Sequence, residues 1–183
     1  MSTQQNQSSK ETKIANFDPN GVGDITGGLF GLPFNIDESE VVLIPVPWEV
    51  TVSYSAGTAE GPQAIKDASP QLDLYEPYLK VAWKLGMARE EISEQWSAES
   101  DRLRQLTEKY IAYLEEGGSP DNNPFAQLPA EVTAKGKELL EWLKQRASNH
   151  LNQGKMVGVV GGDHSTPLGL IHALADKHEE FGI

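Results

Sequence analysis

The sequence predicts an α/β fold built around a parallel sheet. Three observations carry that reading: two short apolar runs, helical periodicities flanking the second run, and a glycine turn that leaves it and opens into another helix. The first run, Val41-Val42-Leu43-Ile44-Pro45-Val46-Pro47, is nearly continuous and rich in β-branched residues, as a strand buried on both faces requires. Its two prolines predict that the ladder ends by Pro45, because proline brings no N–H to a sheet. A loop follows from Trp48 to Gly61, and Pro62 then opens a short helix, where its missing N–H has no intrahelical partner to lose. Over residues 91–116, Ile92, Trp96, Leu103, Leu106, Tyr110 and Tyr113 recur mostly at steps of three, four or seven, the stripe of an amphipathic helix. The Gly117-Gly118-Ser119-Pro120 stretch ends it. A second helix is predicted over residues 130–152 from Leu139, Leu140, Trp142, Leu143, Ala147 and Leu151. The strand Lys155-Met156-Val157-Gly158-Val159-Val160, the Gly161-Gly162 turn and a helix over residues 167–176 complete the series.

Residues 1–40 are rich in Gln, Ser, Asn, Asp and Gly and break any periodicity, which predicts a flexible, loosely packed N-terminal arm. Residues 41–183 then form the folded part. No stretch reaches the roughly 18 apolar residues of a membrane helix, and the first residues lack the basic and apolar halves of a secretory signal. A cytoplasmic location is the expectation. With no cysteine in the chain, disulfides, thiolate ligands and a cysteine nucleophile are excluded, so any metal must be held by nitrogen and oxygen. The net charge of -12 argues against nucleic acid or an anionic membrane as partner. It suits a small cationic substrate, although solubility explains it as well.

The chemistry concentrates in Gly161-Gly162-Asp163-His164-Ser165. Ligands of open α/β sheets bind beyond the carboxyl ends of the strands, and His164 stands four residues after Val160 on the turn leaving one of them. Two glycines allow a sharp bend there, and neutral imidazole is the commonest side-chain metal ligand. Asp163 is a candidate for the acceptor that orients a ligating ring. The plainer readings stand beside these: a loop histidine at the surface, an aspartate that caps the helix near Pro167, or a glycine pair that cradles a phosphate. The last lacks both the G-x-G-x-x-G spacing and a Walker lysine. His150, His172 and His178 read as surface or helix-terminal residues, and Glu60 as a structural or subunit-contact residue.

The segment Gly161-Gly162-Asp163-His164-Ser165 resembles the first metal-ligand signature of the arginase, agmatinase and guanidinase family, the ureohydrolases. The stretch from Ser53 to Ile65, Ser-Tyr-Ser-Ala-Gly-Thr-Ala-Glu-Gly-Pro-Gln-Ala-Ile, resembles the same family's first active-site loop and following helix. Together the likenesses cover about residues 41–76 and 134–183. In place of the Asp-x-Gly-Asp strand of compact agmatinases stands the helix of residues 91–116, which points to a guanidinase-like or divergent agmatinase-like member.

The resemblance implies a three-layer α/β/α fold with a mainly parallel sheet, of which this chain is the N-terminal part. It also implies a binuclear centre of Mn2+ or, in a guanidinase-like branch, Ni2+, with His164 ligating one ion and Asp163 behind it. Ser53, Tyr54 and Ser55 would line the substrate loop. The remaining ligands, in an Asp-x-His-x-Asp strand and an Asp-x-Asp pair, and the catalytic residues are expected beyond Ile183, so this stretch alone is expected to be inactive. The implied reaction is hydrolysis of a guanidino C–N bond, releasing urea with an amine or ammonia, in a homo-oligomer, a trimer or hexamer. A non-catalytic α/β subunit acting through protein contacts and a nucleotide-binding module using Gly161-Gly162 are the competing readings.

Overall fold

The run of β-branched residues at 41–46 becomes the central strand, because a strand with no polar side chain can only sit where both faces are covered. In the computed structural model, which describes residues 2–121 and 123–182, β1 (Val41–Val46) is flanked by β2 (Met87–Arg89) and β3 (Met156–Gly161) in the order β2-β1-β3. Both pairings are parallel, with Val41 opposite Met87 on one side and Met156 on the other. Helices α2 (Gly61–Ala68), α3 (Glu94–Glu115), α4 (Leu128–Asn152) and α5 (Leu168–Lys177) supply the layers around it.

The strand runs past the point where its prolines were expected to stop it. Pro45 pairs with Val160 and Val46 with Gly161. The reason is the direction of the missing N–H. Even-numbered residues of β1 bond towards β3, as Met156 N–H to Glu40 O and Gly162 N–H to Val46 O show, whereas odd-numbered ones face β2, as Val41 N–H to Gly86 O and Glu90 N–H to Leu43 O show. β2 ends opposite Leu43, so the position of Pro45 faces no strand that could use a donor.

One face of the sheet carries the main core. Ile44 and Val46 of β1, with Val157 and Val159 of β3, meet Leu139, Leu143, Ala147 and Leu151 of α4, Leu103 of α3 and Ala173 of α5. Trp96 joins Trp48 to Trp142, edge-on to the first at 5.9 Å and tilted to the second at 6.0 Å, geometries that add about 0.5–1.5 kcal/mol per pair to plain burial. On the other face, Leu43, Pro45 and Val160 meet Pro62 and Ile65 of α2 and Leu29. Helix α3 begins three residues later than its periodicity suggested, because Ser93 takes the N-cap and accepts the Trp96 N–H at 3.3 Å.

Residues 2–40 make contacts with the rest of the fold. They include helix α1 (Ser2–Asn16), and Leu32 and Phe34 are buried against Trp83, with Ile14 and Phe17 packed around them. Polar contacts hold the helix: Ser9 and Lys13 donate to the buried Glu38 carboxylate at 2.7 and 2.6 Å, and Lys10 donates to Leu85 O at 2.8 Å. Burial pushes the Glu38 carboxyl up, but Lys13, the Asn35 N–H and Ser9 outweigh it and hold the group below the usual carboxylate range. These contacts tie the segment to the strand it precedes. No helix among the described residues is long and apolar enough to cross a membrane.

Candidate functional site

Two loops leave the carboxyl end of the sheet side by side, one from β1 and one from β3, and main-chain bonds join them. The Gly162 N–H donates to Val46 O at 3.2 Å and the Asp163 N–H to Trp48 O at 2.9 Å. The chains approach so closely that a Cβ on Gly161 would lie 2.3 Å from Val46 O, and one on Gly162 1.9 Å from Trp48 O. Neither glycine has a positive φ. The pair is required for that approach rather than for the bend expected from the sequence.

Asp163 follows the pair, half-buried, and its Oδ1 accepts the Ser165 N–H at 2.9 Å and the Ser165 hydroxyl at 2.5 Å. Its main-chain oxygen accepts the Thr166 N–H at 3.2 Å and hydroxyl at 3.0 Å. The aspartate thus organises the turn of residues 163–166 and does not cap α5, whose N-terminal position is held by Pro167 without a side-chain bond. Its other oxygen, Oδ2, is buried and has no hydrogen-bond partner. An orphaned carboxylate oxygen costs about 1–3 kcal/mol unless something approaches it. The turn also weakens the phosphate-cradle reading: the N–H groups of Gly162, Asp163, Ser165 and Thr166 are all engaged within the protein.

His164 is exposed and makes no hydrogen bond among the described residues. The loop from β1 has the same character at its tip, where Ser53, Tyr54 and Ser55 are exposed, Tyr54 fully so. These candidates share one end of the sheet without touching. Among the described residues no three His, Asp or Glu side chains converge on a point that could hold a metal ion, so His164 stands as a single donor.

The base of the β1 loop holds a residue that the sequence reading passed over. The Glu49 carboxylate accepts the Gly57 N–H at 2.7 Å, the Ala59 N–H at 3.1 Å and the Thr58 hydroxyl at 3.1 Å. Burial raises its pKa, yet the bonds from Ala59, Gly57 and Thr58 more than offset this and hold it below its ordinary 4.5. An acidic residue eight positions before a glycine was the only available signal, and it is a weak one. His150 lies in the last turn of α4, the helix-terminal place expected of it, and not at the surface. It is buried, and its Nε2 lies 2.6 Å from Glu90 Oε1, while Arg146 donates to Glu90 Oε2 at 2.9 Å. Of the two expected places the surface one fails, because the residue falls on the α4 stripe that packs against the sheet, which turns the ring inward. His172 and His178 are exposed, as expected, and so is Glu60.

Comparison with known proteins bears on what such an end of a sheet is for. The Arginase family model matches residues 39–183. The chain belongs to the arginase family. The match encloses both loops and also α3 and α4, so it reaches across the stretch where the motifs had shown no likeness. Among curated proteins this arginase-family chain is similar to an N(1)-aminopropylagmatine ureohydrolase of Thermus thermophilus, 28% identical over 144 residues, covering 79% of this chain and 36% of the relative. It is similar to an agmatinase of Bacillus anthracis, 27% identical over 149 residues, covering 81% and 39%. An N(1)-aminopropylagmatine ureohydrolase of Synechocystis is 43% identical over 42 residues, 23% of this chain and 14% of that protein. The chain therefore spans less than two-fifths of the length of these relatives. No solved structure gives a significant match.

Proposed function

We propose that the intact protein is a metal-dependent ureohydrolase that cleaves the guanidino C–N bond of a small cationic guanidino compound, releasing urea with an amine or ammonia. The observation that carries the reading is the turn at 161–166: within a family match, it presents an unengaged imidazole at the carboxyl end of the sheet beside a buried carboxylate oxygen without a partner. That donor set fits a divalent ion such as Mn2+, with Ni2+ as the alternative, since both accept nitrogen and oxygen. His164 would hold one ion of a pair, and Asp163 would meet the centre through Oδ2 or through a water. When bound, such a centre would supply an activated water by lowering its pKa towards ~7.

This chain's own part is to bind and orient. The bonds from Gly162 and Asp163 to β1 and the segment after it fix where the imidazole emerges relative to the loop of Ser53, Tyr54 and Ser55, whose exposed hydroxyl groups would meet a cationic substrate, that of Ser55 while donating weakly to Ala56 O at 3.4 Å. The names of the relatives favour an agmatine-type amine over guanidine itself. A cytoplasmic homo-oligomer, a trimer or hexamer, without nucleic-acid or membrane partners, belongs to the same reading.

The test is urea release by the intact protein supplied with Mn2+ or Ni2+, from agmatine, N(1)-aminopropylagmatine, arginine and guanidine. Release from at least one, abolished by a chelator and restored by the metal, is the expected result. Silence on all four with both metals sinks the reading.

A further inference from the structure

The loop that carries Ser53, Tyr54 and Ser55 is held from one side by a helix. On α3, Ser100, Arg104 and Thr107 stand at steps of four and three, one above another on a single face. Each meets the main chain of the loop in turn. The Glu49 N–H donates to Ser100 Oγ at 3.1 Å, the Thr107 hydroxyl donates to Val50 O at 2.5 Å, and Arg104 donates through Nη1 to Val52 O. Ser100 and Thr107 are buried, and Arg104 is nearly so, its Nε engaged at 2.9 Å by Glu108 one turn further along.

A stripe of polar side chains on the inner face of an amphipathic helix opposes the helix's own burial unless every group is matched. Here each is matched by loop backbone. From the other side the Glu49 carboxylate gathers Gly57, Thr58 and Ala59. Residues 49–52 and 57–59 are therefore fixed, and only Ser53 to Ala56 project freely.

We propose that Ser100, Arg104 and Thr107 of α3 are positioning residues that set where the Ser53–Tyr54–Ser55 tip stands and thereby select among guanidino substrates. The proposal rests on the ureohydrolase reading for the identity of the substrate, though not for the brace itself. It assigns a role to α3, which lies in the stretch where the motif resemblance had no counterpart. A helix fixed to the loop's backbone, rather than to its side chains, can shift the tip without altering any residue on it.

The experiment compares Thr107→Val, which keeps the shape and removes the hydroxyl, with Thr107→Ser, which keeps the hydroxyl, and with Ser100→Ala, all in the intact protein supplied with Mn2+. Removing one buried hydrogen bond to the loop is expected to speed amide exchange across residues 51–57 about tenfold and to raise KM about tenfold for whichever of agmatine, N(1)-aminopropylagmatine, arginine and guanidine the unsubstituted protein uses best, changing its ratio to the other three. The kcat should stay within about twofold, and Thr107→Ser should restore both readings, because the effect belongs to the hydroxyl. A KM unmoved in both Thr107→Val and Ser100→Ala overturns the proposal, and so does a fall in kcat at constant KM. Failure of the ureohydrolase reading looks different: the unsubstituted protein then releases no urea. In that case the brace is decided by exchange alone, an unaltered rate in Thr107→Val overturning it.

Discussion

His150 and His164 lie fourteen positions apart on either side of β3 and meet opposite fates. His150 is buried on α4, with its Nε2 against Glu90 at the end of β2 and Arg146 completing the cluster, so its bonding links a helix to the strand beneath it. His164 is exposed, unbonded, and offered at the end of the sheet where α/β folds place their ligands. The same side chain serves once as mortar and once as a free donor. Partners and exposure, not residue type, distinguish the two. Among the described residues, His150 is buried and held through Nε2 by Glu90, although its Nδ1 has no partner, whereas His164 is exposed with both ring nitrogens unengaged.

The widest gap between them should appear on replacing each with alanine. In His164→Ala, urea release by the intact, metal-supplied protein should fall at least about 100-fold, the upper end of what losing an outer partner costs a metal site. Its metal-free thermal unfolding should move by less than about 0.5 kcal/mol, as for a surface substitution. His150→Ala should do the reverse, costing about 2–3 kcal/mol in denaturant unfolding through the cavity and the weakened Glu90 cluster. Its kcat should stay near wild type in the molecules that fold. If both variants lost activity equally with no change in stability, the division would fail.

A finer contrast lies in acid. Because Glu49 has a folded-state pKa below its ordinary 4.5, its clamp contributes fully above that value and is lost as the pH falls through the depressed one. Protection of the Gly57 and Ala59 amides, relative to the unstructured rate at the same pH, should therefore fall as the pH drops through the depressed pKa below 4.5, and Glu49→Gln should show that loss of protection already at pH 7. The smallest effect expected is that of Ser93→Ala. Removing the cap of α3 should cost about 1 kcal/mol in unfolding experiments and leave KM near wild type, because Ser100 and Thr107 lie well inside the helix.

Much of this fold was legible in the sequence because apolar patterning decides it. The runs at 41–46 and 156–160 announce strands, and Leu139, Leu143 and Ala147 announce the face of α4. What stayed hidden depends on partners far away in the chain. Strand β2 has only Met87, Ala88 and Arg89, too short for a period, and exists by pairing with β1. Helix α1 lacks an apolar stripe and is held by Glu38 and Leu85, distant in sequence. At the candidate site, His164 was singled out because a motif surrounds it. The Glu49 clamp and the α3 brace were not, since hydrogen bonds between side chains and loop backbone leave no spacing to read.

The close approach of Gly161 and Gly162 to β1 also changes what the motif can attest. A methyl group at either position would strike a carbonyl oxygen of the neighbouring segment, whether or not any reaction takes place nearby. A relative with this architecture would be obliged to retain both glycines whatever it does, whereas the packing places no such demand on the exposed histidine. In a survey of such sequences, the glycine pair testifies to ancestry of architecture alone. On the ureohydrolase reading proposed above, the imidazole two positions on is the letter that would separate a working enzyme from a retired one.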